Sequence, residues 1–169
     1  MNESVYYKSP LGALQISNNG DAIAELSFVN RQGDEKIKED EVLIEEPASP
    51  VIKKCIEQLD QYFSGKLFQF DLPLNQEGTA FQQTVWDALM KIAYGKTESY
   101  LSLSKRVGNA KAIRAVGTAN GRNNIAIIVP CHRVIGSSGS LVGYGGDLWR
   151  KQWLLEHESK YGNGVQTLF

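Results

Sequence analysis

Ile125-Ala126-Ile127-Ile128-Val129-Pro130-Cys131-His132-Arg133-Val134 joins an apolar, β-branched run to a thiol and an imidazole. The run predicts a buried strand. Pro130 has no N–H to give to a ladder and ends the pairing. Cys131 then stands at the end of a rigid element, where it can open onto a pocket. The adjacent His132 and nearby charges are expected to depress its pKa, and the thiolate is the reactive form. A buried Cys that only packs is the plainer reading of a lone thiol in an apolar run. The surrounding sequence decides between the two.

Upstream, Thr79-Ala80-Phe81-Gln82 is a capping box. The helix it opens carries Phe81, Val85, Trp86, Leu89 and Met90 on one side and is expected to stop near Tyr94-Gly95. Ser99 can cap a short helix over Tyr100–Val107, Gly108-Asn109 is a turn, and Ala110–Asn120 reads as a second short helix. Two short helices around a Gly-containing turn form a helix-turn-helix signature, which is weak by itself. The second helix is rich in small residues: Ala110, Ala112, Ala115, Gly117 and Ala119. A helix that reads bases usually carries long polar side chains. This one presents a smooth face with Arg114 projecting from it, and close helix packing explains such a face equally well.

Downstream, residues 136–146 form a glycine-rich loop. No Lys-Ser/Thr pair follows, which argues against a phosphate-binding loop. Asp147 is placed to cap a helix over Leu148–Glu158, with Trp149, Trp153 and Leu155 on its apolar side. The polar tail, Ser159–Phe169, is expected to be disordered.

The first half is different. Ser4–Lys8, Ala13–Ser17 and Ala22–Val29 are strand-like, and Asn18-Asn19-Gly20-Asp21 signals a hairpin. Gly33–Glu46 is a charged loop. Ser49 and Pro50 start a helix that carries Val51, Ile52, Cys55, Ile56, Leu59 and Phe63 at helical spacing before Gly65. Cys55 on that face reads as core packing. Leu67–Leu74 is a candidate further strand. The expected fold is α+β: a small antiparallel-sheet domain over residues 1–78, structural and including one helix, and a mostly helical domain with a helix-turn-helix over 79–169.

Charge divides at the same point. Residues 1–78 hold 7 Lys/Arg against 14 Asp/Glu and residues 79–169 hold 11 against 5, so the net charge of −1 separates into −7 and +6. A basic half can attract a polyanion that the whole-chain charge would not. Two cysteines in unlike contexts suggest no disulfide framework. There is no run of 18 apolar residues, and Met1-Asn2-Glu3-Ser4 does not open a signal peptide. The expected setting is a reducing cytoplasm, with association to the nucleoid in a prokaryote.

The motif Pro130-Cys131-His132-Arg133-Val134 resembles the active-site motif of the O6-alkylguanine-DNA alkyltransferases. Arg114-Ala115-Val116-Gly117 resembles that family's arginine-finger segment, and Asn123 stands where the family has its hinge asparagine. Gly139-Ser140-Leu141-Val142-Gly143-Tyr144-Gly145-Gly146 resembles its substrate-pocket loop, and Trp153-Leu154-Leu155-Glu156-His157-Glu158 its closing helix. The likeness spans residues 79–158, and its motifs agree in order.

The resemblance implies a DNA-repair protein that moves an alkyl group from O6-alkylguanine, and from O4-alkylthymine, onto its own Cys131, once per molecule. His132 would take the thiol proton, directly or through a water, and Glu158 would orient and charge-stabilise that imidazole. Asn123 would tie the helix-turn-helix to the active-site segment, and Tyr100 would hydrogen-bond the flipped guanine and help to protonate it. Arg114 would fill the space left by the extruded base, with Ala115 and Gly117 against the backbone of duplex DNA in the minor groove. Val134, Val142, Gly143, Tyr144 and Gly145 would line the base and alkyl pocket. Arg133 would pair within its own domain.

No cofactor is implied. Some relatives carry zinc in the N-terminal half, but one Cys and no His there cannot supply four ligands. The family commonly has a second glycine where Asp147 follows Gly146. No membrane association is expected. A monomer is expected on DNA, with cooperative binding as the alternative. Two other functions remain open at this point: a module that binds alkyl lesions without chemistry, and a hydrolase built on the same Cys, His and Glu.

Overall fold

Alternating apolar residues build the first sheet. In the computed structural model, which describes residues 2–136, 139, 144 and 146–167 with side chains to 162, β1 (Ser4–Ser9), β2 (Gly12–Asn19) and β3 (Ala22–Phe28) pair antiparallel in the order β1-β2-β3. Register sets Val5 opposite Ile16, Tyr7 opposite Leu14, Leu14 opposite Phe28 and Ile16 opposite Leu26. These six side chains are buried. The hairpin turns at Gly20, whose φ of 62° suits a residue without a Cβ. Helix α1 (Pro50–Phe63) packs on β2 and β3 with Ile52, Cys55 and Leu59 fully buried. Its N-terminus is capped by Ser49, whose hydroxyl accepts from the Ile52 N–H.

The outer edge of β3 is met by two short segments. Leu74 bridges Ile23, and Ile125 bridges Leu26. Leu67–Leu74 is therefore a single bridge and not the expected strand. The run Ile125–Val129 is corrected in the same way. The Ala126 N–H donates to the Leu26 carbonyl at 2.8 Å, and then Ile127 takes φ = 70° and leaves the extended region. A β-branched residue there costs about 1–3 kcal/mol. Burial of Ile127, Ile128 and Val129 holds the turn against that cost. Contacts divide the chain into Met1–Glu77 with Asn124–Ala126, and Gly78–Asn123 with Ile127–Phe169.

The second unit is mostly helical, and the α+β class holds. Helix α2 (Ala80–Leu89) begins at a complete capping box between Thr79 and Gln82. It buries Val85, Trp86 and Leu89, whereas Phe81 and Met90 are exposed, and it ends before the expected Tyr94-Gly95. Helices α3 (Tyr100–Arg106) and α4 (Ile113–Gly121) form the helix-turn-helix. Residues 110–112 form a turn ahead of α4, so the second helix starts three residues later than expected. Trp86 Nε1 donates to the Ala119 carbonyl at 2.9 Å and joins α2 to α4. Two short strands, β4 (Glu98–Ser99) and β5 (Val134–Ile135), pair in parallel.

Helix α5 spans Leu148–Thr167 and runs through most of the tail expected to be disordered. Its inward residues include Lys151, Leu154, His157 and Glu158, while Trp149 and Leu148 are exposed. Asp147 pairs with Arg150 at 3.3 Å. No helix among the described residues is long and apolar enough to cross a membrane.

Gly78 sits where a Cβ would lie 2.5 Å from Trp86 Cη2 and 2.8 Å from Gln82 Oε1. Trp86 is pinned by its bond to Ala119, so it cannot swing away freely. Gly78→Ala is expected to lower stability by about 1–3 kcal/mol, the usual cost of overpacking. Urea unfolding measures it, and an unchanged midpoint would show that the ring yields.

Candidate active site

The site begins where the buried turn of Ile127–Val129 reaches Pro130. Cys131–Arg133 form one turn of 3-10 helix, all three residues buried. Asn123 fastens this turn from the end of α4. Its Nδ2 donates to the Val129 carbonyl at 2.9 Å and to Cys131 Sγ at 3.2 Å. The thiol therefore has a fixed position and a donor already aimed at it. Burial pushes the Cys131 pKa up; the Asn123 bond and the Lys151 charge pull it down without reversing the shift. This corrects the expected depression. A dry neighbourhood favours the neutral thiol, so the thiolate needs a base at the moment of reaction.

The candidate for that base is next in the chain. His132 is fully buried, and its Nε2 lies 2.7 Å from Glu158 Oε2. Its Nδ1 is buried with no hydrogen-bond partner among the described residues. A carboxylate at Nε2 selects the tautomer with its proton there, leaving the Nδ1 lone pair open to accept one. Burial lowers the His132 pKa, with Glu158 opposing, so the ring rests neutral.

Glu158 reaches this position on α5. Burial alone would raise its pKa, but the His132 ring and the Arg133 guanidinium outweigh that and hold it well below the usual carboxylate range. Arg133 is bidentate on it, Nε to Oε1 at 2.8 Å and Nη2 to Oε2 at 3.1 Å, and its Nη1 donates to the Ile92 carbonyl at 2.7 Å. A fork–fork pair satisfies both charges in a dry interior. Arg133 thus pairs within its own unit, as expected.

Two buried polar residues at the site escape a motif-based reading. Lys151 is fully buried, and its Nζ donates to the Val134 carbonyl at 2.6 Å. Burial brings its pKa down to about 8. Its signal is spacing: Lys151, Leu154 and Glu158 fall at i, i+3 and i+7 on one helix face. Asn120 is the other. It follows Val116 and Ala119 on the buried face of α4, at a position the helical period marks as apolar. Asn120 Nδ2 lies 3.4 Å from the Tyr100 hydroxyl and 3.4 Å from the Cys131 carbonyl.

Hydrogen bonds through Asn123 and Asn120 thus join Cys131 to Tyr100, and the separate His132–Glu158 pair meets them through the chain, since His132 follows Cys131 in the same 3-10 turn. Arg114 and Ala115 lie apart, exposed on the other face of α4. Gly117 backs onto Tyr100, where an added Cβ would come within 3.8 Å of the ring. Tyr144 is half-buried, with its hydroxyl's pKa pushed well up by burial. The side chain of Val134 is fully buried. Val142, Gly143 and Gly145 lie outside the described residues.

Comparison with known proteins gives this geometry a relationship. The DNA-binding domain model of 6-O-methylguanine DNA methyltransferase matches residues 80–160, and its ribonuclease-like domain model matches 4–76. The methylated-DNA–protein-cysteine methyltransferase of Mycobacterium leprae is 45% identical over 161 residues, covering 95% of this chain and 94% of its own. A crystal structure of Mycobacterium tuberculosis O6-methylguanine methyltransferase superposes with a TM-score of 0.80 at 42% identity, over 95% of this chain and 94% of its own. The structure of Mycobacterium tuberculosis OGT in complex with DNA gives 0.81 at 42% identity over 92% of each chain. With both units matched and this identity along nearly its whole length, the chain belongs to the 6-O-methylguanine DNA methyltransferase family.

Proposed function

We propose that this protein repairs DNA by moving the alkyl group of O6-alkylguanine onto Cys131 Sγ, once per molecule. The observation that carries the reading is a thiol held by Asn123 and, next in the same 3-10 turn, a neutral imidazole with one open nitrogen and a carboxylate on the other. The thiol proton passes to His132 Nδ1, directly or through one water, and Glu158 stabilises the imidazolium. The sulfur forms a bond to the alkyl carbon as the carbon–oxygen bond breaks. The electron pair stays with the guanine, which takes a proton from Tyr100. O4-alkylthymine presents the same reacting atoms and is a second substrate.

DNA binds through the exposed face of α4. Small side chains there let a minor-groove backbone approach, and the +6 charge of the second half supplies phosphate affinity with little sequence preference. The protein acts on the duplex as a monomer. The test is incubation with O6-methylguanine DNA followed by intact-protein mass measurement and peptide mapping. One stable methyl adduct on Cys131 supports the reading. An unmodified protein that still binds the lesion would make it a recognition module, and an adduct that hydrolyses would make it a hydrolase.

Arg114 offers a second measurement. Extruding a base costs a few kcal/mol of unstacking, and a guanidinium left in the gap offsets part of it. Arg114→Ala is expected to slow transfer from duplex DNA by roughly 10-fold or more while leaving transfer from free O6-benzylguanine near the wild-type rate. Equal losses on both would assign Arg114 to the fold.

A further inference from the structure

Asn120 has no part yet in the reaction as described. It is 2% exposed, and its Oδ1 is buried with no hydrogen-bond partner among the described residues. An unpartnered amide oxygen is a cost that a leucine at this position would avoid. The side chain offsets that cost only through what its N–H group does. That group is shared between the Tyr100 hydroxyl and the Cys131 carbonyl, 3.4 Å from each. It therefore touches the proton donor and the backbone of the nucleophile at once.

The direction of the first bond matters. A phenol that accepts from an amide N–H keeps its own proton available for a base. When that proton leaves, the same N–H faces a phenolate, and the bond becomes charge-assisted and stronger. Burial pushes the Tyr100 pKa up, and the Asn120 bond opposes that. We propose that Asn120 is a positioning residue that aims the Tyr100 hydroxyl at the departing base and stabilises the phenolate formed as the base leaves.

The step balances. The Tyr100 O–H bond breaks, its proton goes to the guanine as the carbon–oxygen pair arrives there, and the phenolate recovers a proton from His132 through solvent. The inference rests on the reading of Tyr100 as proton donor.

The experiment compares two reactions of Cys131 in the same protein preparations. Transfer from O6-methylguanine in duplex DNA, at saturating DNA, needs a proton for its leaving group. Alkylation by iodoacetamide releases iodide and needs none. Asn120→Leu is expected to slow the first by roughly 10- to 100-fold, the factor attached to one hydrogen bond to a developing charge, and the second by less than about twofold. Asn120→Asp keeps the shape but loses the donor, and it is expected to show the same split; it carries the test if Asn120→Leu fails to fold. In a Tyr100→Phe background, Asn120→Leu is expected to add nothing.

Equal slowing of both reactions would overturn the proposal, because Asn120 would then be supporting the Cys131 turn. Full additivity with Tyr100→Phe would overturn it too. If Tyr100→Phe is slow and Asn120→Leu is not, the Asn120 assignment alone fails. If Tyr100→Phe transfers at the wild-type rate, the role of Tyr100 itself falls and the proposal with it.

Discussion

Cys131→Ser protein is expected to form no adduct with O6-methylguanine DNA, yet to bind that DNA with affinity within about a few-fold of wild type. A serine hydroxyl is a far weaker nucleophile than a thiol at neutral pH, and the substitution leaves the Asn123 anchor and the exposed face of α4 in place. In the wild-type protein, the number of lesions repaired is expected not to exceed the number of protein molecules. The product is a thioether, with no carbonyl for a second nucleophile and a poor leaving group for water. Cys55→Ser is expected to transfer normally. Its thiol is fully buried on α1, with its pKa pushed up to about 12 by burial. A hydroxyl there without a partner lowers stability by about 1–3 kcal/mol. Stoichiometric repair assays and peptide mapping read all three. Several lesions repaired per molecule, or an adduct on Cys55, would overturn the assignment.

Glu158→Gln is expected to lose both rate and stability, each for its own cause. Glutamine keeps the shape of the side chain but leaves the Arg133 guanidinium buried without its counter-charge, a loss of about 3–5 kcal/mol. Its amide can also turn an N–H toward His132 Nε2. The ring then carries its proton on Nδ1, where it can no longer accept one from the thiol. Transfer is expected to slow by on the order of 100-fold or more, with DNA affinity nearly unchanged in the folded fraction. The acid limb of stability separates the two effects. Glu158 is held below its ordinary value of 4.5, so its contribution is fully present above that pH and is lost as the pH falls toward the folded-state value. Wild-type protein should therefore lose stability below about pH 4.5, more steeply than Glu158→Gln. Parallel acid limbs in the two proteins would mean that the ion pair is not what holds α5 to the Cys131 turn.

Several parts of this molecule are legible from local chemistry. The Asn18–Asp21 hairpin, the Ser49 cap and the Thr79–Gln82 capping box all appear where their residues predict them, because turns and caps are made by neighbours in sequence. Elements that depend on distant partners are less legible. Helix α5 passes the expected stop at Glu158 because no Gly or Pro breaks the chain soon enough; Gly162 and Gly164 are tolerated inside it. Phe81 and Met90 fit the apolar period of α2 and still face outward. The helical period marks a stripe, and only the neighbouring helices set how much of it is covered.

The sequence by itself determined the α+β class and the split in charge and offered a helix-turn-helix signature, and its resemblance to a known family singled out Cys131, His132, Asn123 and Glu158 as a set, since motif order is carried by the chain itself. Tertiary structure decided what those residues touch. It turned the β-branched run Ile125–Val129 into one bridge and a strained turn, because pairing needs a second strand along the whole length and β3 offers Ile125 a single partner. It raised the Cys131 pKa where neighbouring charges suggested a fall, because desolvation depends on the packing all around the sulfur. And it brought Lys151 and Asn120 into the site from two helices, because burial of a polar side chain depends on everything packed against it, which no stretch of sequence contains.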